Sequence, residues 1–114
     1  KLQVIAENQN VVLKIFPKEL LFLKSEGNYV EVFYQQNQQN QKLLIRNSLK
    51  ALDGQLPNTH FFRCHKRFLV NLHHIQKVEG NARNLELVLA FVKEKIPVSR
   101  SKSEALLQFF QRKN

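Results

Sequence analysis

The segment FFRCHKRFLV, in the middle of the chain, has the residue types that could do chemistry. It places Arg63, Lys66 and Arg67, together with Cys64 and His65, between apolar residues typical of a core. The three cations could bind a polyanion, because guanidinium and ammonium groups pair well with phosphate oxygens. A thiol beside Arg63 and His65 could instead have a lowered pKa and sense oxidants.

The cysteine and the histidines are weak evidence for a reactive site. Cys64 is the only cysteine, so an internal disulfide is impossible and a reducing cytoplasm is the expected location. A free cysteine is more often a small buried apolar residue than a sensor. The other candidate metal ligands are His60, His65, His73 and His74. These histidines lack the paired spacing of a zinc site. If they lay in a strand, the adjacent His73 and His74 would also point to opposite faces.

Enzymatic chemistry has little support elsewhere. Asp53 is the only aspartate and lies in a predicted helix, so paired carboxylates would have to come from scattered glutamates. The chain has no glycine-rich phosphate loop. We therefore expect no enzyme, no cofactor and no metal site.

The net charge of +9 is concentrated in two blocks. Residues 42–67 carry six cations against Asp53 alone, and residues 93–114 carry six cations against two glutamates. Residues 1–41 and 68–92 are neutral. If the fold brings the two blocks together, they form a one-sided positive surface suited to a polyanion. The alternative is that each block is only a solvated face.

The length of 114 residues fits a single domain with a modest core, covering residues 1–114. Short runs of β-branched and aromatic residues favour strands over long helices. No apolar run approaches the roughly 20 residues of a membrane span, and the start does not resemble a secretory signal. We expect a soluble domain without membrane contact, cut from a longer protein.

Short alternating or apolar runs bounded by turn residues predict seven strands. The stretch QQNQQNQ, 35–41, predicts a solvated, mobile hairpin loop. The predicted strands cover residues 11–16, 20–25, 29–34, 42–46, 60–64, 75–79 and 84–90.

Two helices are also predicted. Asn47 or Ser48 can cap a short internal helix, SLKALDGQL, which Pro57 would stop. Ser101 and Glu104 fit a capping box that opens a C-terminal helix with an apolar stripe. The predicted fold class is therefore mostly β, with short antiparallel sheets, one short internal helix and a C-terminal helix.

The start of the second helix is a candidate anion site. Pro97 suits an edge strand just before it, so Ser99 and Arg100 lie where a strand becomes a helix. Backbone N–H groups at such a start favour an anion, and Arg100 and Lys102 add positive charge.

Four segments, in this order and at these separations, resemble the LytTR DNA-binding domain of bacterial response regulators. They are FLKSEGNYVEVF, LIRNSLKAL, FFRCHKRFLVNLHHI and IPVSRSKSEAL, and the resemblance spans about residues 11–110. It implies a mostly β fold whose loops enter successive major grooves of double-stranded DNA without a recognition helix. It also implies imperfect direct repeats in promoters as targets, and a receiver or membrane-sensing region preceding the domain in a longer cytoplasmic regulator of a two-component system.

The resemblance implies base-reading residues in three loops. They correspond here to Asn28 after FLKSEG, Lys66 in RCHKRF and Arg100 in VSR. Arg100 could pair bidentately with guanine, Asn28 with adenine, and Lys66 with guanine as a point charge. Family members commonly have Arg-Ser where this chain has Lys66-Arg67.

The neighbours of these readers have open alternatives. Arg63, His65 and Arg67 would contact phosphates or support the turn, and Ser99 and Lys102 would contribute at the helix start. Arg63 could instead pair with a glutamate, and His65 could be a packed neutral imidazole. In the same way, Asn28 could supply a turn conformation, Arg100 could be only a helix-entry cation, and Asn71 would more simply bond to backbone than to DNA.

The competing functional class is a basic, β-rich module that binds RNA or single strands. Such proteins expose aromatic rings on which bases stack. Tyr29, Tyr34 or Phe68 could serve in this way. A protein-interaction module with incidental charge is a third class, and it would show no salt-sensitive binding to nucleic acid.

Overall fold

The structure, a computed structural model, describes residues 1–81 and 83–113. Within them the chain forms three small antiparallel sheets and two α-helices, which confirms the predicted mostly β class. Neither helix in this part of the chain is long and apolar enough to cross a membrane. The elements are β1 (Leu2–Ile5), β2 (Val11–Ile15), β3 (Leu20–Glu26), β4 (Tyr29–Gln36), β5 (Gln39–Arg46), α1 (Leu49–Gln55), β6 (Phe61–His65), β7 (Phe68–Asn71), β8 (Ile75–Asn81), β9 (Asn84–Leu89), β10 (Ile96–Pro97) and α2 (Arg100–Lys113).

The central element is a five-stranded sheet with the order β5-β4-β3-β7-β6, in which all neighbours are antiparallel. Because strand side chains alternate between faces, the sheet contributes to two cores. Leu23 and Leu69 pack with α1 and the β1–β2 hairpin in one apolar cluster. Phe22 and Val70 pack with the three-stranded β10-β9-β8 sheet and α2 in the other. The central sheet therefore lies between two layers.

The predicted loop at 35–41 is wrong for all but two residues. β4 and β5 continue through it and pair up to Gln36↔Gln39. Asn37 and Gln38 alone make the turn, with φ of 53° and 62°. Two left-handed residues match the right-handed twist of a hairpin, and asparagine tolerates this conformation well. A side-chain hydrogen bond of 2.9 Å from Gln35 to Asn40 further orders the polar strand ends.

The buried Asn71 joins two turns at the edge of the central sheet where β3 begins and β7 ends. Its Nδ2 donates to the carbonyl oxygens of Pro17 and Leu20, at 2.9 and 2.8 Å. Its Oδ1 accepts from the backbone N–H of His73 at 3.0 Å. As expected, this side chain bonds to backbone.

Replacing Asn71 with alanine should lower the free energy of unfolding by about 2 to 3 kcal/mol, because two buried carbonyls would lose their donor. Urea denaturation of Asn71→Ala against the parent measures this difference. Asn58→Ala is the control, since Asn58 is exposed and has no described side-chain partner. Equal destabilisation by the two changes would contradict the structural role of Asn71.

Cys64 is fully buried in β6, where its thiol faces the carbonyl oxygens of Pro97 and Phe68 at 3.5 and 3.9 Å. Burial raises the pKa of the thiol to about 12, since a thiolate would lose its hydration there. The group is therefore a protonated thiol at neutral pH. The structure agrees with a packed apolar role and opposes a redox sensor, which requires an accessible thiolate.

In the folded protein at pH 8, Cys64 should react with a thiol reagent far more slowly than in denaturant. Because its pKa is higher in the folded than in the unfolded chain, raising the pH above about 8.5 should destabilise the parent relative to Cys64→Ala. Absorbance-monitored labelling and pH-dependent urea denaturation measure the two effects. Similar labelling rates in the two states would show that the thiol is accessible.

Candidate nucleic-acid interface

One edge of the central sheet displays the predicted loops. β3, β5 and β6 end at this edge and β4 and β7 begin there, because every neighbouring pair is antiparallel. We call it the loop edge. Its β3–β4 turn consists of Gly27 and Asn28. Gly27 has φ of 62° and Asn28 is not left-handed, so glycine supplies the conformation that this turn requires. The exposed Asn28 does not have that role.

The β6–β7 turn, Lys66-Arg67, is bonded directly to the end of β3. The backbone N–H of Ser25 donates to the carbonyl oxygen of Arg67 at 2.9 Å. In return, Nη2 of Arg67 donates to the Ser25 carbonyl at 3.2 Å and lies 3.6 Å from the carboxylate of Glu26. The first and second loops are thereby fixed relative to each other.

The third loop is bonded to the other side of this hairpin. The backbone N–H of Ser99 donates to the Cys64 carbonyl at 2.8 Å, which places the strand-to-helix junction beside the end of β6. α2 begins at Arg100, one residue before the predicted start at Ser101. The Ser99 carbonyl accepts from Lys102 N–H at 2.9 Å and from the Ser103 hydroxyl at 3.4 Å, which closes the first turn earlier than the capping box predicted.

Arg63 supports the β6–β7 turn from inside. Its Nη2 donates to the Lys66 carbonyl at 2.8 Å, while its Nε is buried without a hydrogen-bond partner. None of the ion pairs in the described part of the chain involves Arg63, so the structure does not show the alternative pairing with a glutamate. The guanidinium thus holds the backbone from which Lys66 projects.

His65 also faces inward on the turn. Its Nδ1 accepts from the Arg67 N–H at 3.1 Å, and its ring packs edge-on against Phe68. Burial lowers the pKa of the imidazole, and the charges of Lys66 and Arg67 lower it further. A pKa below the ordinary value of about 6.5 leaves His65 largely neutral at pH 7. This geometry corresponds to the packed neutral alternative.

Four of the eight candidate residues are exposed and have no described side-chain partner: Asn28, Lys66, Arg100 and Lys102. The other four are held by internal contacts: Arg63, His65, Arg67 and Ser99. The loop edge therefore consists of a bonded frame with several free polar side chains.

Sequence reasoning missed one residue of the loop edge, Arg46. Arg46 ends β5 and lies opposite Tyr29, the first residue of β4, with its guanidinium carbon 5.8 Å from the centre of that ring. Arg46 was counted only as one charge in a basic block. Its position follows from the β4–β5 register, which no local pattern revealed.

The two basic blocks converge only in part. Arg46, Arg63, Lys66 and Arg67 reach the loop edge, but Lys42 lies further along β5 and pairs with Glu31 at 3.0 Å. In the second block, Lys95 pairs with Glu79 at 3.2 Å. Acidic side chains also reach the edge, such as Glu26. The positive surface is therefore narrower than the net charge suggested.

The histidines do not form a metal site in the part of the chain that the structure describes. That part contains no group of three or more His, Cys, Asp or Glu placed to hold a metal ion. His73 and His74 lie in a 3₁₀ turn, Leu72–His74, and not in a strand, so the argument that they would point to opposite strand faces does not apply. Asn71 caps this turn through the N–H of His73.

Comparison with known proteins identifies the family and the fold. The sequence profile of the LytTr DNA-binding domain matches residues 10–111. The transcriptional regulatory protein YpdB of Escherichia coli K12 is 42% identical over 56 residues, which cover 48% of this chain and 23% of that protein. An uncharacterized response regulatory protein of Vibrio cholerae is 35% identical over 60 residues, covering 53% of this chain and 23% of that protein.

A solved LytTr DNA-binding domain from Bacillus cereus has the same fold. It superimposes with a TM-score of 0.71 over 98% of this chain and 95% of that chain, at 21% sequence identity. This chain accounts for about a quarter of the length of the curated relatives that it matches. Since the family profile covers almost the whole chain, the chain belongs to the LytTR family of DNA-binding domains.

Proposed function

We propose that this domain binds double-stranded DNA sequence-specifically, with the three loops of the loop edge entering successive major grooves. The observation that carries the proposal is the pair of backbone hydrogen bonds, Ser25 to Arg67 and Ser99 to Cys64, that fix the three loops side by side.

The free side chains have the chemistry that base reading requires. Arg100 projects a guanidinium fork suited to guanine O6 and N7, and Asn28 has the amide that pairs with adenine N6 and N7. Lys66 offers a point charge to a guanine. Lys102 and Arg67 serve phosphates beside them. Ser99 contributes through the helix start, whose N–H groups favour an anion.

The biological context is part of the same proposal. The domain is the output region of a longer bacterial response regulator that acts in the cytoplasm on imperfect direct repeats in promoters, and a receiver or sensor region precedes it. Support comes from the relatives, which are about four times as long as the segment they share with this chain. One of them is named a transcriptional regulatory protein and another a response regulatory protein.

Single-strand or RNA binding is less well supported. It requires exposed aromatic platforms, but Phe68 is only 6% exposed and Tyr34 packs partly against the core. Tyr29 is 41% exposed, yet Arg46 lies over its ring. The aromatic rings near the loop edge thus offer little free surface for stacking.

Duplex binding should weaken steeply as salt rises. With Z phosphates contacted, log K should fall against log salt with a slope of about −0.9Z, and we expect Z of roughly 4 to 7. Fluorescence anisotropy with a labelled duplex at several salt concentrations gives the slope. A flat response would exclude the electrostatic mechanism, and equal or tighter binding to the matching single strands would favour the competing class.

Arg100→Ala should lose the preference for one guanine while keeping the fold. A bidentate contact is worth about 1 to 3 kcal/mol of discrimination, or roughly five- to 150-fold in affinity. Arg100→Lys should restore nonspecific binding more than specific binding, because lysine recovers the charge without the fork. Selection from a random duplex library, followed by binding to single-base variants, measures the preference.

The control for this experiment is Lys18→Ala, which removes an exposed cation from the turn that precedes β3, at the sheet edge opposite the loop edge. It should leave the base preference unchanged. If Arg100→Ala selects the same sequence as the parent with the same discrimination, or if it unfolds, Arg100 is not a base reader.

A further inference from the structure

The loop edge continues past the three loops to the N-terminal hairpin. Arg46 stands at the end of β5, in line with Tyr29 and Glu26 across the strand pairs. Neighbouring strands are about 4.8 Å apart, so Arg46 lies roughly 10 Å from Glu26 at the end of β3. This is close enough for a long side chain to reach the backbone of the same duplex.

The Arg46 guanidinium is held by two contacts, but not all of its hydrogen-bond donors have a partner among the described contacts. Its Nε lies 3.6 Å from the Glu7 carboxylate, and Tyr29 supports the guanidinium from one face. The two terminal nitrogens, Nη1 and Nη2, have no partner among the described contacts. The side chain is 57% exposed, so these donors are available to a ligand at the edge.

Glu7 is placed beside Arg46 by the backbone and not only by charge. The N–H of Glu7 donates to the Arg46 carbonyl at 2.8 Å, which fixes the loop between β1 and β2 against the end of β5. The Glu7 side chain is 66% exposed. An exposed ion pair of this kind is weak, so a phosphate can displace the carboxylate.

We propose that Arg46 is a phosphate contact which extends the interface to the N-terminal hairpin, and that Glu7 competes with DNA for it. The inference rests on the proposed function and adds a regulatory element to it. Glu7 places a negative charge where the DNA backbone arrives, so it reduces the affinity of the whole edge. Any event that neutralises the charge of Glu7, or that moves the β1–β2 loop away from Arg46, would tighten DNA binding without changing the base preference.

The test compares salt slopes of duplex binding for the parent, Arg46→Gln, Arg46→Lys and Lys42→Gln. Lys42 is the matched control, because it lies on the same strand and face as Arg46, is similarly exposed, and is also paired with one glutamate. Arg46→Gln should reduce the slope by about 0.9 and weaken binding about five- to tenfold near 0.1 M salt, as expected for one lost phosphate. Arg46→Lys should keep the slope, and Lys42→Gln should leave it unchanged.

The competition is tested with Glu7→Gln alone and combined with Arg46→Gln. Glu7→Gln should tighten binding by up to about fivefold, the range of an exposed ion pair, and this gain should disappear when Arg46 is absent. A gain that persists in the double variant would mean that Glu7 acts by general charge, and a loss in the single variant would mean that it positions Arg46. Either result overturns the competition.

The outcomes separate this inference from the proposed function. Suppose that the parent and Arg100→Ala behave as proposed. If Arg46→Gln then has the same salt slope as Lys42→Gln, or if Arg46→Lys lowers the salt slope as much as Arg46→Gln does, Arg46 is not a phosphate contact. Only this inference then fails. If the parent shows no salt-dependent duplex binding, both fail. Thermal unfolding of each variant confirms that binding is compared between folded proteins.

Discussion

The hydrogen bonds on either side of the β6–β7 hairpin are the interactions on which the candidate interface depends. One joins Arg67 to Ser25 at the end of β3, and the other joins Cys64 to Ser99 at the start of α2. Both are made by backbone atoms, so they fix the three loops whatever side chains those loops carry. The bond to Ser99 is the more important of the two, because it joins the third loop, which follows the three-stranded sheet, to the five-stranded sheet that carries the other two loops.

The burial of the strands on each side of the β6–β7 turn explains why so much charge lies between apolar segments. The strands on each side of the turn end in the core, where Phe61, Cys64 and Phe68 are all buried. The turn between them is therefore short and anchored at both ends. Arg63, in β6, is used internally to hold the Lys66 carbonyl, and the lysine side chain remains exposed. The buried strand ends and Arg63 together hold the turn so that the Lys66 side chain is exposed.

The sequence indicated most of the fold because its signals are local. Ser48 was one of two predicted caps for α1, and its hydroxyl does accept from the Ala51 N–H at 3.1 Å. The other candidate, Asn47, bonds instead to the Ile5 carbonyl, 42 residues away at 2.7 Å. Local spacing could not separate these roles, because Asn47 is committed to a tertiary contact. The extension of β4 and β5 through the glutamine-rich stretch was missed for the same reason, since cross-strand pairing overrode a composition typical of loops.

The candidate site was located by sequence, but its internal organisation was not. Resemblance placed Asn28, Lys66 and Arg100 in three loops, and the fold brings those loops to one edge. The sequence did not distinguish the cations that hold the frame, such as Arg63, from those that are free. That distinction depends on which carbonyl a guanidinium meets after folding. Arg46 was missed because its place depends on strand register.

The division between a bonded frame and free side chains has a consequence for how such domains diverge. Replacing Asn28, Lys66 or Arg100 removes no described internal contact, so mutations there are nearly neutral for folding. Mutations at Arg63 or in the buried strand ends disturb the frame itself. Under the proposed function, a lineage can therefore explore new binding sequences at the free positions while selection for folding acts on the others. Duplicated genes could acquire separate targets by a few substitutions, without first passing through an unstable intermediate.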